Sequence, residues 1–474
     1  MIQSFEWPVK NINLRVRKFF MATSIYAKPI KAKTILKFTL PTVLMMVFMS
    51  LYTVVDGIVV ANCVGSDALS AINIVYPFTL VFMAVGLMFS TGSNAIIAKK
   101  MGEGKQEEAN RLMSGVAITA TVISVIIAVL FTIFAEPMYM MFGSNEKILP
   151  YCIDYGSVMI PYGFVMCWQM LNQSYLVTAD KPHIMLVFSI LSGCTNIVLD
   201  ILFMAVWDFG IIGAGLGTII GMAVGAIPLL LFFNKKQTLH FGKPEFKVSE
   251  ILFAMANGSS EAVTNLSTAV TTALFNIQMM HFAGAKGVAA ISAILYIHFI
   301  FIAVSFGFTS GVSPIISFNY GAQNHEKLQK LFKLCIKITL IISLAMIAAS
   351  EIFAEPLVRI FSAGDEELQQ IALGGFRIFA INYLLCGMNI FASGLFTALN
   401  NGKISAVISV ARTLVFECAA MLILPMFIGI NGVWSALPVA ELCAVAISVT
   451  FIIANAKKYH LVGVPPLPVR ADSL

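Results

Sequence analysis

Runs of about 20 or more apolar residues recur twelve times along this chain of 474 residues, at roughly 34–60, 69–98, 112–134, 150–178, 183–207, 211–233, 251–280, 288–316, 331–353, 369–397, 404–427 and 432–455. Each is long enough to cross the hydrocarbon core of a bilayer as a helix. In lipid a helix satisfies its own backbone hydrogen bonds, so the pattern restricts the fold to a bundle of transmembrane helices. Only 11% of the residues are charged, against about 25% in soluble domains. A large soluble helical protein would need polar faces that these runs lack.

The chain is also one half written twice. Phe-Ala-Glu-Pro stands at 134–137 and again at 353–356, and the same shift of 219 carries Gly65 to Gly284, Ala71 to Ala290, Gly92 to Gly311 and Gly102 to Gly321. It continues through Phe142 and Phe361, Cys167 and Cys386, Thr178 and Thr397, Gly210 and Gly429, and Gly213 and Gly432. A unit of that length is too long for a solenoid repeat and describes two homologous lobes. Six spans per half is an even number, so both lobes enter and leave on one side, as parallel repeats about an axis along the membrane normal.

Basic residues choose the side. They cluster before the first span (Lys10, Arg15, Arg17, Lys18, Lys28, Lys31, Lys33, Lys37) and in alternate loops, among them Lys99, Lys100, Lys105, Arg111, Lys181, Lys235, Lys236, Lys327, Lys330, Lys403, Lys457, Lys458 and Arg470. The opposite loops hold only Lys147, Lys286 and Arg359. By the positive-inside rule both termini are cytoplasmic, and the net charge of +6 reports topology, with no nucleic-acid partner implied. The first 20 residues lack the apolar core and cleavage site of a signal peptide. The expected organisation is a cytoplasmic tail over 1–33, an N-lobe over 34–233, a cytoplasmic linker over 234–250, a C-lobe over 251–458 and a cytoplasmic tail over 459–474. The eight cysteines show no CxxC pair, so neither a disulfide framework nor a zinc site is supported.

What both halves keep reads as architecture. Gly213, Gly217, Gly221 and Gly225 recur every four residues, and at the shift of 219 the twelfth span carries Gly432, Ala436, Ala440 and Ala444. A ridge of small residues lets a neighbouring helix approach closely. Prolines inside spans (Pro41, Pro77, Pro161, Pro228, Pro314, Pro425, Pro438) each remove a backbone donor, and such breaks favour a mobile protein over a rigid one.

What one half alone keeps reads as function. Carboxylates cost a few kcal/mol or more inside a bilayer, so each needs a reason. Tyr52 and Asp56 are four apart on the first span, Asn196 and Asp200 four apart on the fifth, and Thr218 lies beside the glycine ridge; a spacing of four places each pair on one helix face. Shifted by 219, Asp56 becomes Phe275, Asn196 Val415, Asp200 Ala419 and Thr218 Leu437. Two carboxylates, an amide oxygen and a hydroxyl form an all-oxygen set suited to a hard monovalent cation such as Na⁺, and the same carboxyl pair can instead carry a proton. Taken singly, Asp56 near the end of its span can also reach water, and Asn196 can serve as an interhelical clamp. Other embedded charges are Glu261, Arg377, Arg412, Glu417 and Glu441. The arginines read as partners of glutamates, while Glu261, at a bend in Gly258-Ser259-Ser260-Glu261, is a candidate for a central substrate cavity.

The ordered set Leu-Pro-Thr-Val (40–43), Ser-Leu-Tyr-Thr-Val-Val-Asp-Gly (50–57), Val-Gly-Ser-Asp-Ala-Leu-Ser-Ala (64–71) and Gly-Ala-Gly-Leu-Gly-Thr (213–218) resembles the multidrug and toxic compound extrusion (MATE) family, in a bacterial branch of it, over about residues 34–458. The resemblance implies an all-α membrane protein of twelve helices in two six-helix lobes. It implies that Asp56, Tyr52, Asn196, Asp200 and Thr218 form a coupling-ion site for H⁺ or Na⁺, and that Pro41 is the first-helix proline that bends with protonation. In another branch a C-lobe cation site uses acids of the seventh and tenth helices. Glu261 matches the first, but the tenth span offers Arg377 and Asn382 and no carboxylate.

The expected function is a secondary antiporter. It exports organic cations or amphipathic drugs in exchange for H⁺ or Na⁺, with substrate held between the lobes against aromatic and Met-rich walls, because Met adapts to varied shapes. The expected setting is a monomer among the lipids of a bacterial inner membrane, with no cofactor beyond the coupling ion. A flippase for lipid-linked sugars, with a wide cationic cavity, is the alternative. An enzyme is disfavoured because the sequence holds no HExxH, paired metal histidines, Ser-His arrangement or Walker motif.

Overall fold

The computed structural model describes residues 24–362 and 365–463. Most of both tails, including Lys10, Arg15, Arg17, Lys18 and Arg470, lies outside the described residues. Twelve helical units follow one another among the described residues. The first lobe contains α1 (Ala32–Gly57), α2 (Asp67–Gly102), α3 (Gln106–Ile133), α4 (Leu149–Met159 and Gly163–Thr178), α5 (Pro182–Val206) and α6 (Gly210–Phe233). The second contains α7 (248–283) and α8 (285–321), then α9 (His325–Ile352), α10 (Glu366–Ala380 and Tyr383–Ala398), α11 (Gly402–Ile428) and α12 (Ile430–Ala456). The division between α7 and α8 falls at Gly284, whose φ of 60° and ψ of −152° leave helical space, a conformation that a side chain would oppose.

Two of the expected spans are broken helices. Pro161 sits in the interruption of α4, where its missing N–H and its ring end the first segment. Its counterpart at the shift of 219 is Ala380, yet α10 is broken at the same place and bends by 49°. There the Asn382 side chain donates to the Phe379 carbonyl, replacing a bond the helix has lost. The repeated Phe-Ala-Glu-Pro opens the short helices Ala135–Met141 and Ala354–Ser362, with Glu136 and Glu355 in the first turns, where a carboxylate meets the positive end of the helix dipole.

Burial explains how the lobes are arranged. One apolar cluster takes side chains from both lobes, among them Ile35, Met101 and Tyr175 from the first and Ile315, Leu328 and Phe396 from the second. Toward the opposite end the core divides. Val75, Phe78 and Ile211 belong to a cluster of the first lobe alone, and Phe275, Phe379 and Trp434 to one of the second. The molecule is therefore a V, joined at the end that carries Ile25 and Leu461, near the first and last described residues, and parted at the other. Polar contacts cross the joined region. The Thr42 hydroxyl lies 2.6 Å from the Thr39 carbonyl within α1 and 2.7 Å from the Gly307 carbonyl of α8, and Lys100 of α2 lies 3.2 Å from Glu250 of α7.

Candidate functional site

The polar residues of the first lobe converge. Asn196 and Asp200 are 1% and 0% exposed, one helical turn apart on the face of α5 that meets α6. The Asn196 amide donates to the Thr218 hydroxyl at 3.3 Å. From α1, Asp56 brings its carboxyl beside that of Asp200, and Tyr52 stands near both. A glycine of the ridge makes this approach feasible: a Cβ at Gly217 would occupy the position of the Asp200 carboxylate. Gly221 likewise receives the Asn196 side chain. The ridge expected to serve packing thus also admits the two polar residues of α5. Immediately after Asp200 the helix widens into a π-helical segment, Ile201–Val206, a departure from α geometry that often accompanies functional sites.

This cluster is rich in acceptors and poor in donors. Both carboxylate oxygens of Asp200, one of Asp56 and the amide oxygen of Asn196 are buried with no hydrogen-bond partner; Asn196 approaches Asp200 without the geometry of a full hydrogen bond. Buried polar atoms are normally paired, and leaving one bare costs about 1–3 kcal/mol or more. Two adjoining carboxylates with no donor between them are chemically able to share a proton or to bind a cation. Among the described residues no group of three or more His, Cys, Asp or Glu side chains is placed to hold a metal ion, and the donor set suits a monovalent charge.

Tyr155, on the first segment of α4, also lies near Asp56 and Asp200 and packs against Gly215. It was not among the sequence candidates, although a signal for it existed: at the shift of 219 it becomes Gly374.

The second lobe holds a different polar network. Arg412 Nε donates to Glu441 at 2.8 Å, and Asn389 donates to the other oxygen of Glu441 at 2.6 Å. Ser448 in turn donates to Asn389 at 2.8 Å. Glu417, Glu261 and His298 face the same guanidinium. Arg412 thus neutralises a glutamate, as its position in the sequence suggested, whereas Arg377 is exposed. Arg412 also lies within a π-helical segment, Ala411–Phe416.

Between the lobes lies a cavity of about 310 Å³. Its walls include Met45, Met46 and Met49 of α1, Met83 of α2, Met170 of α4 and Met185 of α5, facing Phe299 and Phe306 of α8. Glu261 of α7 is the one ionisable side chain on that wall among the described residues. Asp56, Asp200, Asn196 and Thr218 do not line it, so the acid pair and the central cavity are separate places. α1 joins them: Met46, Met49 and Thr53 face the cavity, while Tyr52 and Asp56 turn toward Asp200 of α5.

Two helical lobes around a central cavity, with a charged group off to one side, define a multi-pass membrane transporter. The MatE family model matches residues 41–202 and 261–421, once in each lobe and together more than half the chain. The chain belongs to that family. Among its relatives are the multidrug export protein MepA of Staphylococcus haemolyticus (strain JCSC1435), 24% identical over 438 residues that cover 90% of this chain and 93% of the relative, and MepA of Staphylococcus aureus (strain MSSA476), 22% identical over 87% and 92%. The fold matches a MATE protein crystallised in the straight conformation, with a TM-score of 0.84 at 21% identity over 90% of this chain and 96% of that one. It also matches a multidrug resistance MATE family transporter of the MOP superfamily in an outward-facing conformation, with a TM-score of 0.81 at 22% identity over 93% and 98%.

Proposed function

We propose that the protein is a secondary antiporter of a bacterial cell membrane, with both termini cytoplasmic. It exports organic cations or amphipathic drugs while H⁺ or Na⁺ enters by way of Asp56 and Asp200, with Asn196, Thr218 and Tyr52 completing the coupling-ion site. The observation that carries this reading is the double role of α1. One face borders a donor-poor pair of carboxylates, and the other forms the wall of a methionine-lined cavity with a single acid, Glu261. Such a wall accommodates flat apolar bodies of varied shape, and one carboxylate offers a counter-charge for one positive group. A flippase for lipid pyrophosphates would need basic residues there, and among the described residues the wall has none.

Because the pair and the cavity are separate, ion loading acts on the substrate through the helix. Charge neutralised at Asp56 changes how closely α1 packs on α5, and the same helix presents Met45, Met46 and Met49 to the substrate. Pro41 lies at the base of this stretch, where its missing donor makes α1 easier to bend. The V joined at the terminal end is then the outward-facing member of an alternating-access cycle. Reconstituted in liposomes, the protein is expected to move ethidium or norfloxacin under a proton gradient or a sodium gradient applied alone; no movement under either overturns the reading.

A further inference from the structure

The joined end of the V is crossed by residues 24–31, the segment that leads into α1. Ile25 and Tyr26 are buried, at 4% and 7% exposure, within the cluster that both lobes share. Tyr26 touches both lobes. Its hydroxyl donates to the Thr178 carbonyl at the end of α4 at 2.6 Å, while its ring stacks on Phe318 near the end of α8, with centroids 4.4 Å apart. The neighbouring backbone repeats the pattern. The Ile25 N–H donates to Asp180 in the α4–α5 turn at 3.1 Å, and the Ala27 carbonyl accepts from Lys327 of α9 at 3.5 Å.

Phe318 also lies at one of the close crossings of the two lobes. A Cβ on Gly102 of α2 would run into the Phe318 carbonyl oxygen, and a Cβ on Gly321 of α8 would run into the Lys99 carbonyl oxygen. Gly102 and Gly321 are repeat partners, as are Lys99 and Phe318, so the contact is reciprocal. Separating the lobes at this end must undo that crossing, and with it one side of Tyr26's attachment. Beside Tyr26 lies a cavity of about 450 Å³, bordered by Asp180, His183, Gln237 and Phe318, which leaves room for the segment to shift once it is released.

We propose that residues 24–27 are a latch that holds the cytoplasmic entrance shut, and that Tyr26 sets the balance between its closed and open states. The segment gains its full set of contacts only when both lobes are together, so it favours the outward-facing state by its differential binding. The latch rests on the alternating-access reading above, and a distance measurement separates the two ideas. Arg111 on α3 and Lys330 on α9 are repeat partners, both exposed, one on each lobe. Spin labels on cysteines at these positions, in a background lacking the eight native cysteines that still transports, report the width of the entrance in liposomes.

Tyr26→Ala, which removes the ring that stacks on Phe318 of the other lobe, is expected to raise the ratio of open to closed populations by about fivefold, and Tyr26→Phe, which keeps the ring and gives up a bond within the first lobe, to raise it by less. Phe318→Leu, which removes the stacking partner from the other lobe, is expected to shift it in the same direction and covers the case of a poorly folding Tyr26→Ala. A wild-type protein with two distances whose ratio these variants leave unchanged overturns the latch alone. A single distance under every ion gradient and substrate overturns alternating access, and the latch with it.

Discussion

The two lobes share a backbone plan and differ in how they treat buried charge. In the first, α1 closes on α5 at Gly193, where a Cβ would meet Phe48 and Tyr52. In the second, the counterparts of Gly193, Phe48 and Tyr52 are Arg412, Ser267 and Thr271: a large residue on the eleventh helix replaces two on the seventh. Among the described residues, no positive side chain acts on the two carboxylates of the first lobe. The second holds Glu441 with its cation built in, bonded by Arg412 and Asn389. A group already neutralised by its own chain has little to gain from a passing ion, whereas a group left short of a donor does. The difference fits the proposal that ions exchange in the first lobe while the second supplies a fixed electrostatic framework. Each arrangement is accompanied by a π-helical segment at its own charged residue, at different positions in the repeat.

The sharpest way to break this comparison is to neutralise the bare pair. Asp200→Asn or Asp56→Asn keeps the shape and removes the ionisable group, and is expected to abolish ion-driven efflux while leaving membrane insertion and thermal stability near wild type. Substrate movement in proteoliposomes, normalised to inserted protein, is the measurement. Wild-type efflux by both variants would remove the pair from the coupling site.

The second lobe should respond in the opposite way. Arg412→Gln leaves Glu441 buried at 1% exposure without its cation, and stranding one partner of a buried ion pair costs about 3–5 kcal/mol. The expected result is a large drop in melting temperature and in folded yield, restored in good part by adding Glu441→Gln. A stable Arg412→Gln protein that had lost ion coupling would move the second lobe from framework to participant.

Much of this was legible in the sequence because the repeat supplies its own control. Asp56, Asn196, Asp200 and Thr218 differ from their counterparts Phe275, Val415, Ala419 and Leu437, and those four side chains lie together in the folded chain. Tyr155 passes the same test against Gly374, but a tyrosine near a span end has an ordinary interfacial explanation, and only the packing of α4 on α6 brings it to the carboxylates. The break in α10 has no proline to announce it; Asn382 stabilises it through a bond that sequence alone does not display. The separation of the acid pair from the cavity was likewise hidden. Residues on one helix differ there by which way they face, and facing is settled by tertiary contacts with α5 on one side and α8 on the other.

The finest test of the comparison uses one position in two contexts. Gly217 and Ala436 are repeat partners on α6 and α12. Opposite Gly217 stands the Asp200 carboxylate; the counterpart of Asp200 is Ala419, a methyl group. A methyl added at 217 therefore displaces a functional group that Asn196 and Asp56 also adjoin, and displacements of this kind, small in distance, weaken sites that depend on geometry. Gly217→Ala is expected to reduce ion-coupled efflux by about tenfold, the size of effect a 1.4 kcal/mol loss at the site would give, with little change in folded yield. Ala436→Gly removes a packed methyl far from any carboxylate of the pair and is expected to lower melting temperature slightly with efflux preserved. Equal losses of efflux in both variants would mean that helix packing, and not the neighbouring charge, is what the ridge protects.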